Sequence, residues 1–200
     1  AADFDGDGFT DLAVLEDGGT PEVSILLNDT AGGYTFDASY AGGSLAAPTD
    51  IAVIDYDEDG YADLAVSESG NGNVVLLGND GNGAFPLVAA HGGAELDTPV
   101  ALTVADLDED SDLDLAVADA GTAGDVTVLW NNGAGFDAES FELAVNPTDV
   151  VSGDLDDDGR RWPGGGADRT VRRCGRGHLR SGALLFRRRR TGRTGDGRRG

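Results

Sequence analysis

The chain has 200 residues and a formal net charge of -23, and all 14 of its Arg lie in 160–200, whereas residues 1–159 carry 35 of the 37 Asp and Glu and neither Lys nor Arg. So negative a body repels nucleic acid and anionic lipid, which carry the same sign. No apolar run reaches the roughly 18 residues that suggest a membrane-spanning helix, and the single cysteine, Cys174, lies outside the body, which therefore forms no disulfide of its own.

In chain order, the acidic loop Asp3-Phe-Asp-Gly-Asp-Gly8 comes first, followed by three predicted strands: Asp11–Leu15, Val23–Leu27 and an outer strand opened by Tyr34 and Phe36. The second repeat adds a Pro-initiated strand, Pro48–Ile54, ahead of its loop Asp55-Tyr-Asp-Glu-Asp-Gly60. Strands then follow at Asp63–Val66 and Val74–Leu77, with an outer strand opened by Phe85. The third repeats the order with Pro99–Ala105, the loop Asp106-Leu-Asp-Glu-Asp-Ser111, Asp114–Ala118, Val126–Trp130 and an outer strand from Phe136. A fourth opens with Pro147–Gly153 and Asp154-Leu-Asp-Asp-Asp-Gly159. Turn chemistry at Asn28-Asp29, Asn79–Gly83 and Asn131–Gly135 separates the third and fourth strands of the repeats.

The first Asp of each loop follows its predecessor by 52, 51 and 48 residues. Four short strands in about fifty residues is the arithmetic of a propeller blade. The expected fold is all-β: about three blades of four short antiparallel strands plus the start of a fourth, over 1–159. A ring of about four to eight blades is needed for closure, so this segment makes an incomplete ring and reads as a piece of something longer.

The loops at 3–11, 55–63 and 106–114 place Asp on alternate residues with a further Asp at position nine. Hard oxygen ligands at that spacing, with Gly at position six for a sharp turn, suit Ca²⁺. The expected ligands are Asp3, Asp5, Asp7 and Asp11 with the Phe9 carbonyl, then Asp55, Asp57, Asp59 and Asp63 with the Tyr61 carbonyl. The third set is Asp106, Asp108, Asp110 and Asp114 with the Asp112 carbonyl, where Ser111 replaces Gly and makes the turn costlier. Asp154, Asp156 and Asp158 begin an incomplete fourth site at 154–159, since Trp162 occupies its ninth position. Mg²⁺ is the poorer candidate because it demands strict octahedral geometry, and thiolate-seeking metals lack Cys and His ligands here. An EF-hand is excluded because position twelve is Val14, Val66 and Val117 rather than Glu.

The pattern Asp-x-Asp-x-Asp-Gly-x-x-Asp-Leu-Ala-Val, at a blade-length period, resembles the FG-GAP and VCBS-type repeats of integrin α-chain-like β-propellers. The literal Phe-Gly and Gly-Ala-Pro signatures are missing, Gly83-Ala-Phe-Pro86 being the nearest approach. The resemblance implies a secreted or surface-displayed propeller with Ca²⁺ in the loop joining the first two strands of each blade. It also implies adhesion or carbohydrate-associated roles, with a protein or carbohydrate ligand as partner.

Nothing in 1–159 supplies a catalytic set. His91, the one histidine there, reads as a turn residue after the outer strand, and Trp130 as interblade packing rather than a sugar platform. The expectation is a non-enzymatic scaffold; the alternative is an accessory propeller of a secreted enzyme whose catalytic part lies elsewhere. Residues 160–200, rich in Arg and Gly, break the repeat and read as a disordered or out-of-frame tail. The gene's nucleotides, read one base on after Gly159, are expected to restore a blade.

Overall fold

Runs rich in Val, Ile and Leu favour extended backbone, because branched side chains lose rotamer freedom in a helix and pack well on a pleated surface. The computed structural model describes residues 1–29, 31–41, 44–92, 95–122, 124–143 and 145–153, which form strands and no helix. The first sheet is β1 (Leu12–Glu16), β2 (Glu22–Asn28) and β3 (Tyr34–Tyr40). The second is β4 (Pro48–Ile54), β5 (Asp63–Glu68), β6 (Asn73–Leu77) and β7 (Leu87–Gly92). The third is β8 (Pro99–Ala105), β9 (Asp114–Asp119), β10 (Asp125–Asn131) and β11 (Phe136–Glu142). Each is an antiparallel meander paired in chain order, the blade expected from the repeat. In the first blade only the Ala2–Asp11 bridge stands where an innermost strand lies in the others.

The blades stack face to face. Alternation along β5 sends Leu64 and Val66 into a cluster with Val23 and Ile25 of the first sheet, and Ala65 into one with Leu115 and Val117 of the third. Consequently β5 and β9 are buried at every position, whereas Val14 of β1 is 41% exposed and Phe36, paired with Leu26, 64%. Leu64 and Leu115 are fully buried; each such side chain contributes about 1.5–3 kcal/mol. Inner strands also bond directly, Thr49 Oγ1 donating to the Pro99 carbonyl (3.0 Å) and the Leu102 N–H to Asp50 Oδ2 (2.9 Å). Among the described residues the sheets do not close into a ring.

Three details depart from the sequence reading. Phe85 does not open the outer strand; it precedes β7 and lies buried edge-on between Phe4 (5.3 Å) and Tyr40 (5.5 Å). His91 is inside β7 rather than in a turn, its ring against Phe136 at 5.1 Å. Residues 147–153 form no strand, although Val150 packs into the third blade's outer cluster beside the buried Trp130. A strand needs a ladder partner, and the repeat places that partner beyond Gly159, outside the described residues, as are Asp154, Asp156, Asp158 and 160–200.

Candidate metal centres

The ninth residue of each loop anchors it. Asp11, Asp63 and Asp114 stand where the chain enters the strand after the loop, and are 1%, 1% and 0% exposed. Each carboxylate accepts two backbone N–H groups. Asp11 takes Phe4 and Asn28 (both 2.8 Å), Asp63 takes Tyr56 (3.1 Å) and Asn79 (2.6 Å), and Asp114 takes Leu107 (2.8 Å) and Asn131 (2.9 Å). One group thereby ties the second residue of the loop to the residue that ends or follows the next strand but one.

The remaining loop folds around its first carboxylate. Gly8, Gly60 and Ser111 donate their N–H to Asp3 Oδ2 (2.8 Å), Asp55 Oδ2 (3.1 Å) and Asp106 Oδ2 (3.2 Å). These bonds require left-handed backbone at position six, where φ is 88°, 88° and 87° in the three loops. Position four is left-handed too, at Gly6, Glu58 and Glu109.

The result is three matched carboxylate triads: Asp3, Asp5 and Asp11; Asp55, Asp57 and Asp63; Asp106, Asp108 and Asp114. Within each, one oxygen per residue lies within 4.8 Å of the others, and each triad could hold a metal ion. The fifth-position carboxylates are outside the triads. Asp7, Asp59 and Asp110 instead cap the N–H of Phe9 (2.8 Å), Tyr61 (2.9 Å) and Asp112 (3.0 Å), the residues whose carbonyls the sequence assigns as ligands.

Charge is concentrated against its own interest. Burial pushes the Asp63 carboxyl from 3.8 up to about 6, against the two N–H bonds that lower it, with Asp57 and Asp59 adding repulsion. Burial likewise pushes Asp114 up to about 7, opposed by the Leu107 and Asn131 N–H groups and reinforced by Asp108 and Asp110. Asp5 is raised by burial and by Asp7, Asp11 and Asp3. Between loops, the exposed Glu58 shares a hydrogen bond with Asp112 that raises its own carboxyl. The residues fit a divalent cation on a further count: Asp55 Oδ1 and Asp106 Oδ1 are buried and accept no hydrogen bond. A buried carboxylate oxygen left so is costly, and a cation within the triad satisfies it.

Sequence reasoning missed the larger role of Asn28, Asn79 and Asn131, which it took as turn formers. Their offset from the ninth-position Asp, 17, 16 and 17 residues, was the available signal. The family described as FG-GAP-like repeat matches residues 3–66, 55–117 and 106–161, each match running from one loop into the next. No curated protein matches the chain.

Proposed function

The chain belongs to the FG-GAP-like repeat family, and from that premise we propose that it is a calcium-stabilised propeller segment of an extracellular or cell-surface protein. Its role in this reading is a binding or adhesion scaffold for a protein or carbohydrate ligand, without catalysis. The observation that carries the proposal is the triplicated carboxylate triad, two copies of which bury an oxygen that accepts no hydrogen bond.

Asp3, Asp5 and Asp11 hold the first ion, Asp55, Asp57 and Asp63 the second, Asp106, Asp108 and Asp114 the third. Bound calcium supplies positive charge that cancels the repulsion within each triad. At an effective dielectric of 20, two carboxylates about 4 Å apart repel by about 4 kcal/mol, enough to open an uncompensated loop. The protein's part is to hold the oxygens together through the N–H bonds to position nine. An all-oxygen donor set favours calcium over softer metals, and tolerance of irregular coordination favours it over Mg²⁺. Rigid blades with ions at one end of each sheet suit a surface that presents loops to a partner.

Calorimetric titration of the full chain with CaCl₂ tests the reading. Three sites with heats that MgCl₂ does not reproduce are expected, together with a melting temperature that falls in EGTA. No heat of calcium uptake and unchanged melting in EGTA would refute it.

A further inference from the structure

The second residue of each metal loop is held on both sides of its peptide. Phe4 stands between the triad residues Asp3 and Asp5; its N–H bonds Asp11, and its carbonyl accepts Asn79 Nδ2 of the next blade at 2.9 Å. Tyr56 stands between Asp55 and Asp57; its N–H bonds Asp63, and its carbonyl accepts Asn131 Nδ2 of the next blade at 3.0 Å. Both bonds join residues 75 apart in sequence, and both asparagines are 5% exposed. The backbone N–H of the same asparagines bonds the anchoring carboxylate of their own blade, Asp63 or Asp114. One residue therefore touches two metal loops.

We propose that Asn79 and Asn131 are positioning residues that complete the metal loop of the preceding blade, so that each loop's affinity for its ion depends on the blade that follows. The inference rests on the calcium reading above and adds a direction to it. Fixing the peptide between the first and third positions fixes the spacing of the two carboxylates that flank it. An ion binds more tightly to ligands already held in place, because less ordering remains to be done on binding. The side chain of the second residue reinforces the tie, since Phe4 is buried against Phe85 of the next blade. Asn28 supplies an internal control. It holds the equivalent position in the first blade, where its Nδ2 donates to the Thr10 carbonyl at 3.2 Å just as Asn79 Nδ2 donates to the Ala62 carbonyl of its own blade at 3.2 Å, so its substitution tests the same place in a blade other than the third.

The test follows calcium uptake loop by loop in the full chain, through the amide resonances of Gly8, Gly60 and Ser111, each bonded to the first carboxylate of its loop. Asn131→Asp keeps an oxygen to accept the Gly133 N–H but loses the donor to Tyr56; Asn131→Ala loses the donor without adding charge. In both variants the Gly60 response should shift to about five- to tenfold higher calcium, a typical size for one hydrogen bond or one intersite coupling. Gly8 should not move, and Ser111 should shift less than Gly60. Asn28→Asp, with the same added charge, should leave Gly60 in place. Equal weakening at Gly60 and Ser111, or a Gly60 response unchanged in either variant, overturns the proposal. Absence of any calcium response in the unaltered chain is a separate result and sinks the calcium reading itself.

Discussion

The first and third metal loops share one backbone path but reach it from different residues. In the first, the two left-handed positions are Gly6 (φ 77°) and Gly8 (φ 88°); in the third they are Glu109 (φ 63°) and Ser111 (φ 87°). The second loop is intermediate, with Glu58 (φ 58°) and Gly60 (φ 88°). Burial sets the third apart: Asp3 is exposed in the first triad and Asp57 in the second, whereas all three members of the third are at least partly buried. The anchoring Asp114 is accordingly pushed up to about 7. The lesson is that the geometry belongs to the loop's hydrogen bonds, and that each copy meets it at a different cost. The third loop carries the most backbone strain and the most desolvated charge, so without a cation it is the least stable of the three, and closing it costs the ion part of its binding energy.

The largest expected effect sharpens this contrast by removing the ion. A ligand that binds only the folded state at about 100 times its Kd stabilises by about 2.7 kcal/mol per site, so three filled loops matter on the scale of a domain's whole stability. In EGTA, hydrogen exchange should accelerate at the third loop before the first; uniform acceleration would erase the ranking. Next comes Asp114→Ala, which abolishes the third site and leaves the Leu107 and Asn131 N–H groups buried without their acceptor. Each orphaned donor costs about 1–3 kcal/mol, so this variant should melt lower even without calcium. Asp57→Ala is its counterpart at an exposed triad position. It should abolish the second site yet leave the calcium-free melting temperature unchanged or higher, because it removes charge from a crowded triad.

Much of this organisation was legible in the sequence, for local reasons. Pro48–Ile54 and Pro99–Ala105 are strands with the bounds their apolar runs announce, and the first and third Asp of each loop meet the ninth in a triad, while the fifth, alternate with them in sequence, caps an N–H instead. The cost at Ser111 was readable because its position demands a glycine-like φ. Contacts between blades were not readable. The Asn79–Phe4 and Asn131–Tyr56 bonds span 75 residues, and a residue of turn type gives no sign that its amide will cross to another sheet. Phe85 was misplaced for the same reason: an aromatic beside an apolar run suits a strand, and only stacking on the first blade makes it a plug behind Phe4.

Proton competition separates the loops next. Asp63 (about 6) and Asp114 (about 7) lie above their ordinary 3.8, so the calcium-free fold binds these protons more tightly than the unfolded chain does. Their stabilising contribution is complete below about pH 4 and is lost as pH rises through about 6 and about 7. The calcium-free protein should thus melt at lower temperature at pH 7 than at pH 4. Calcium affinity should run the other way, because the ion must displace the protons. On acidification the third loop should release calcium at higher pH than the second, read from the Ser111 and Gly60 amides. Simultaneous release, or calcium-free melting that rises from pH 4 to 7, would contradict the burial ranking.

The smallest effect is the cleanest, because it changes one Cβ. A Cβ built on Gly8 or Gly60 meets no atom within 4 Å, so a side chain there costs backbone strain and nothing from clash. Left-handed backbone costs a non-glycine residue about 1–2 kcal/mol. Ser111→Gly should recover about that much, and Gly60→Ser should forfeit it at the second loop. Where the gain appears is informative. If the calcium-free loop keeps its left-handed turn, the strain is present with and without the ion, and Ser111→Gly raises stability while leaving calcium affinity alone. If charge repulsion opens the loop, strain enters only on closing, and the substitution strengthens calcium binding by roughly five- to thirtyfold. The unpartnered Asp106 oxygen and the raised Asp114 favour the second outcome. A reciprocal loss of similar size at Gly60→Ser, whose φ of 88° matches the 87° of Ser111, would establish position six as the residue that grades otherwise equivalent loops.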